Sequence, residues 1–230
     1  MECISKFLRI AATDTETLYW VNKLKTSYGI DYELNPDIKS QHILLRQVYR
    51  CLSIMPEALV RACHVSKVIF KDLGPSKPHY PNHGYYSPLD DSIVLNSQMF
   101  YNPDQPEDFF SKNRFYLDRI EQTVLHEWAH AFDENHSKLS LQEPWMKLSG
   151  WSEEQKPGLT RLIIDDPGTP KVIGEYWYDP KIGKFPRFYS SRNPYDDFAD
   201  NYAYWTGNLR DKIPATKREY FDKLLGKYYK

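Results

Sequence analysis

Leu18, Val21 and Leu24 fall on one face of a 3.6-residue helix, Thr13 and Glu16 have capping-box spacing ahead of them, and Gly29 stands where such a helix stops. This pattern predicts a helix over residues 14 to 28, a second over 38 to 55, and a third, short one with Pro56 in its first turn and its end near 62. From Val65 the pattern changes. Lys67-Val-Ile-Phe-Lys71 reads as a strand, after which Gly74, Pro75, Pro78 and Pro81 break the chain in a loop that carries His79 and His83. Residues 84 to 88 and 92 to 96 then flank Leu89-Asp90-Asp91 as the arms of a β-hairpin.

Asp104-Gln-Pro-Glu107 can start a helical turn, and Phe115, Ile120, Val124, Trp128, Ala131 and Phe132 form the core-facing stripe of an amphipathic helix over about residues 111 to 134. Beyond it come a short helix over 141 to 148, a turn at Gly150-Trp151, and a β-like run over 172 to 178. Asn193-Pro194 is a strong helix start, an N-cap followed by proline at the first helical position, and that helix carries Phe198, Tyr202 and Trp205. A final amphipathic helix covers about 215 to 228. The expected class is α+β: a helical segment over 1 to 64, then a small mixed sheet packed on helices over 65 to 230, the two forming one compact unit with a helical C-terminal part.

The polar face of the 111 to 134 helix carries chemistry. His126-Glu127-Trp128-Ala129-His130 is an HExxH motif, and at about 100° per residue its two histidines project one turn apart from the same face, as two ligands of one metal ion must. Glu127 lies about 60° from His130, on the flank of that face, where a carboxylate can reach a metal-bound water without being a ligand. The expected cofactor is one Zn2+ ion, which in catalytic sites usually takes three protein ligands and leaves a position open.

Two places can supply the third ligand. His136 has metzincin spacing after His126, but Asp133 occupies the position of the turning glycine, and a continued helix would carry His136 about 120° away from His130. The other place is the acidic helix start Asp196-Asp197-Phe198-Ala199-Asp200, where a carboxylate could converge on the metal and Asp200, one turn after Asp196, could orient a zinc-bound histidine. Spacing alone does not choose between Asp196 and Asp197.

The segments His126-Glu-Trp-Ala-His-Ala-Phe-Asp133 and Tyr189-x-x-x-Asn193-x-x-Asp196-Asp-Phe-Ala-Asp200 resemble the catalytic domain of the anthrax lethal factor family, which includes the Pro-Pro endopeptidases. Its motifs read approximately HE[FIL]GHA[IV]D and YxxxNxxEFFAE. The resemblance implies a gluzincin-like zincin fold, Asp196 at the family's glutamate ligand and Tyr189 at its catalytic tyrosine. It covers about residues 92 to 206 and also accounts for Asp133. The chain departs from the family pattern at Ala129, in place of glycine, and at Asp196 and Asp200, each in place of glutamate and shorter by one methylene, about 1.5 Å.

The implied activity is zinc-dependent hydrolysis of a peptide or protein substrate, with Glu127 as general base and Tyr189 assisting at the oxyanion. Two other readings compete: a catalytically silent zincin that binds a peptide or protein through its cleft and sheet edge, and a metzincin-like site built on His136. Composition removes other classes. Basic and acidic residues nearly cancel at 30 against 31 with no run of like charge, so neither nucleic acid nor an anionic membrane is an expected partner. Three cysteines, Cys3, Cys51 and Cys63, form neither a disulfide framework nor a zinc ribbon. No secretory signal or apolar span is visible, which fits a cytoplasmic protein or one exported without a signal. Aromatic residues at 15% supply a packed core.

Overall fold

A computed structural model describes residues 15–33, 35, 37–38, 41–74, 83–100, 119–164 and 171–230. Its first elements are helix α1 (Thr15–Tyr28), strand β1 (Asp31–Glu33), helix α2 (Gln41–Ser53), helix α3 (Glu57–Ala62) and strand β2 (Lys67–Lys71). Strands β3 (Gly84–Ser87) and β4 (Ser92–Asn96) follow, then one turn of helix, α4 (Ser97–Phe100), and the long helix α5 (Arg119–Asn135). After it come α6 (Glu143–Ser149), the two-residue strands β5 (Trp151–Ser152), β6 (Ile163–Ile164), β7 (Val172–Ile173) and β8 (Trp177–Tyr178), and helices α7 (Pro194–Thr206) and α8 (Ala215–Leu225).

The class is mixed α+β. The main sheet has the order β1-β2-β4-β3, with β1, β2 and β4 parallel and β3 antiparallel to β4. Parallel neighbours need crossover connections, and α2 with α3 supplies the one between β1 and β2. β4 is buried along its whole length, whereas β3, among the described residues, pairs with one neighbour and forms an edge of the sheet. The expected hairpin is present, with Ser87 opposite Ser92 and Gly84 opposite Leu95.

One hydrophobic cluster runs from Leu24 in α1 through Leu45, Val48, Phe70 and Leu95 to Trp128, Phe198 and Phe221. Helices α1 to α3 thus share their core with the helices that follow. α5 and α7 pack side by side within it: the Phe132 and Tyr202 rings are 5.5 Å apart, and Trp145 of α6 meets Phe198 at 5.1 Å.

Several boundaries differ from the periodicity. Pro56 caps α3 in an extended conformation (φ −56°, ψ 140°) rather than entering its first turn. The run over 172 to 178 divides into two strands that serve different pairs, β7 with β6 and β8 with β5. β1 went unforeseen, because three residues are too short for alternation to register. α8 ends at Leu225 and continues as a tighter 3-10 turn over Gly226–Tyr229. Gly150 ends α6 at φ +75°, the left-handed cap that favours glycine. The expected cap at Thr13, the turn at 104 to 107, residues 111 to 118 of the long helix, and His79 lie outside the described residues. Among the described residues, no helix is long and apolar enough to cross a membrane.

Candidate metal centre

His126 and His130 face the start of α7 from one side of α5 because they sit one turn apart. Their Nε2 atoms are 3.0 Å apart, and Oδ1 of Asp196 lies 3.5 Å from the first and 3.6 Å from the second. Three donors on a tetrahedral zinc at about 2.05 Å would lie about 3.3 Å from one another. The observed triangle fits that chemistry with only small adjustments. Among the described residues, these three side chains form a group that could hold a metal ion, with all three donor atoms within 4.8 Å of one another.

The aim of Asp196 is fixed locally. Asn193 caps α7, its Oδ1 accepting the Asp196 N–H at 2.7 Å, while its Nδ2 donates to Asp196 Oδ2 at 2.9 Å. One carboxylate oxygen is therefore held by the cap and the other is left facing the histidines. α7 packs along α5, which brings this oxygen to the histidine pair.

Asp197, one position on, turns about 100° around the helix and faces the interior. It accepts from Lys217 Nζ at 2.6 and 2.8 Å, from Trp151 Nε1 at 3.0 Å and from Asn201 Nδ2 at 2.8 Å. Those bonds hold it in a buried ion pair, away from the histidine pair. His136 is also directed elsewhere: its ring stacks on Phe132 at 3.9 Å and its Nδ1 bonds the Phe132 carbonyl at 2.8 Å. The chain there leaves α5 through left-handed Ser137 (φ 65°) and Lys138 (φ 53°). Asp133 secures this reversal by accepting from the Ser140 N–H at 2.8 Å and the Ser140 hydroxyl at 2.5 Å.

Asp200 is fully buried, with its Oδ1 2.8 Å from His126 Nδ1. Arg187 grips the same carboxylate with Nε at 2.8 Å and Nη2 at 2.5 Å, and the Ser190 hydroxyl adds a further bond. Burial alone would raise this carboxyl, but the Arg187 guanidinium and His126 hold it below the usual range. Asp196 behaves alike: burial opposes its charge, and the two histidines pull it well below an ordinary carboxylate. Burial works against a charged His126, yet Asp200 and Asp196 outweigh it and raise the ring to about 10. The pocket's field thus favours positive charge where the three donors meet.

Glu127 is buried at the cleft floor and has no hydrogen-bond partner among the described residues. Tyr189 stands across from it on a 3-10 turn (Phe188–Ser191), with its ring 6.1 Å from that of His126. Burial pushes its phenol up to about 12, with the Asp196 charge adding to the rise and Arg192 opposing it. The cleft encloses about 410 Å³ and is walled on one side by Tyr85 and Tyr86 of the edge strand β3.

Arg187, Ser190 and Arg192 were not singled out from the sequence. A signal existed, since three aspartates within five residues of a helix that also carries Phe198, Tyr202 and Trp205 require buried cationic partners. Which cations answer that need, Arg187 for Asp200 and Lys217 for Asp197, depends on how the chain before and after α7 returns to it. Comparison with protein-family models, with curated proteins and with solved structures returned no match to this chain.

Proposed function

We propose that this chain is a zinc-dependent endopeptidase of the gluzincin-like zincin type, similar to the lethal factor family. The observation that carries the reading is the meeting of His126, His130 and Asp196, from helices about seventy residues apart in sequence, beside Glu127 in an open cleft. Chance acidic clusters do not bring a capped aspartate, a second carboxylate behind one histidine and an unbonded glutamate to one spot.

Zinc bound there would supply a Lewis acid for the peptide carbonyl and acidify a water molecule at neutral pH. The residues do the rest. Asp200 accepts the Nδ1–H of His126, fixing the tautomer that leaves Nε2 free to ligate. Glu127 takes a proton from the attacking water and delivers it to the leaving amine nitrogen, so one carboxylate serves as base and then as acid. Tyr189 donates a hydrogen bond to the carbonyl oxygen as negative charge builds there. An extended peptide would pair with the outer edge of β3, which has no strand beside it among the described residues, and pass its side chains over Tyr85 and Tyr86.

The test is digestion of a fluorescence-quenched peptide library by the zinc-loaded chain, alongside metal analysis. Glu127→Gln should retain one zinc and lose cleavage. Full activity in that variant, or a wild-type chain that takes up no zinc, sinks the proposal.

A further inference from the structure

Arg192 and Tyr189 sit three residues apart, and Arg192 Nη1 donates to the Tyr189 hydroxyl oxygen at 2.8 Å. A guanidinium has no acceptor, so the direction of this bond is fixed: the tyrosine oxygen accepts and its own proton is unused. Among the described residues that oxygen has no other hydrogen-bond partner, and the ring lines the cleft beside His126 and Glu127. Arg192 is itself held in place. Its carbonyl accepts the Glu175 N–H at 3.1 Å, and its Nη2 lies 3.9 Å from the Glu175 carboxylate. Gly174 lies close beside this contact: a Cβ there would be 3.1 Å from the Arg192 carbonyl oxygen.

We propose that Arg192 is a positioning residue for hydrolysis: by occupying the Tyr189 oxygen as acceptor, it turns the phenol proton toward the substrate carbonyl and strengthens it as a donor. The proposal rests on the peptidase reading above. Hydrogen bonds in sequence polarise one another, and a cationic first donor makes the effect larger. Glu175, two residues beyond β7, thereby acts on the oxyanion side of the cleft through Arg192.

Two measurements on the full-length, zinc-loaded chain test this. The first uses tyrosine labelled with 13C at Cζ, with the Tyr189 resonance identified by its loss in Tyr189→Phe. Arg192→Met should move that resonance at constant pH, and Arg192→Lys, which keeps a cationic donor, should move it less. A resonance left in place by Arg192→Met overturns the proposal.

The second follows cleavage of the fluorescence-quenched peptide mixture. Arg192→Met should lower kcat about tenfold, a loss of about 1.4 kcal/mol in transition-state stabilisation, and leave KM within about twofold. Arg192→Lys should recover part of that loss. In a Tyr189→Phe background Arg192→Met should cost nothing further, since the contact it tunes is already gone. An equal loss in both backgrounds, or a change confined to KM, overturns the proposal, provided zinc content and thermal unfolding match wild type. A wild-type chain that cleaves no peptide sinks the peptidase reading and the reaction role with it, while the resonance still decides whether Arg192 sets the phenol's orientation.

Discussion

At the scale of single residues, the proposed ligand triangle predicts an ordering among three acids and one histidine. Asp196→Ala removes one corner of the triangle, so zinc measured after dialysis should fall well below one ion per chain. Asp197→Ala and His136→Ala should leave zinc binding in the folded protein unchanged, because those side chains are spent on Lys217 and on Phe132. Asp200→Asn keeps the shape but weakens the acceptor behind His126, and zinc affinity should drop by about 10- to 100-fold in a competition titration with a chromophoric chelator. Normal occupancy in Asp196→Ala would refute the ligand set. His126, Glu127 and His130 were legible because helix geometry alone places them, over five residues. Asp196 was distinguishable from Asp197 only by resemblance, because spacing does not reveal how α7 is rotated about its axis. Asn193 and Lys217 fix that rotation, one at the cap and the other 20 residues downstream.

At the scale of elements, the Asp197–Lys217 pair joins the first turn of α7 to α8. Lys217 is 1% exposed, donates to both Asp197 oxygens and to the Lys184 carbonyl, and lies 5.3 Å from the Trp145 ring centroid. Burial lowers the Lys217 pKa and raises that of Asp197, and each partner's charge opposes the shift in the other. Lys217→Met therefore leaves a buried carboxylate without its cation and should cost roughly 3–5 kcal/mol in urea unfolding. Pairing it with Asp197→Asn removes the stranded charge while keeping an acceptor for Trp151, so the double variant should be more stable than Lys217→Met alone. A double variant that is no better would show that packing, not charge, sets the cost. Elements with their own signals were readable at this scale: the Asn193-Pro194 start of α7, the β3–β4 hairpin and the Gly150 stop. The short strands were not. β5 to β8 have two residues each, and their pairing is decided by where the chain over 150 to 192 returns, which no local period encodes.

At the scale of the whole molecule, the question is whether the N-terminal helices and the metal-bearing part unfold together. Cys51 in α2 and Cys63 after α3 are both fully buried, and they belong to the cluster that also holds Trp128, Phe198 and Phe221. Burial pushes the Cys63 thiol up to about 12, against a smaller opposing effect of the Tyr202 hydroxyl, which lies 3.7 Å away. Tyr202 belongs to α7, so this contact ties the first third of the chain to the helix that carries Asp196. Alkylation needs an exposed thiolate, and opening either cysteine would mean separating α2 and α3 from α5 and α7. Iodoacetamide should therefore leave Cys51 and Cys63 unmodified in the native chain. In a urea series their labelling, read by peptide mass spectrometry, should share its midpoint with tryptophan fluorescence. Labelling at Cys63 well before the fluorescence transition would mean that residues up to 64 open as a separate unit, and that the site on α5 and α7 survives without them.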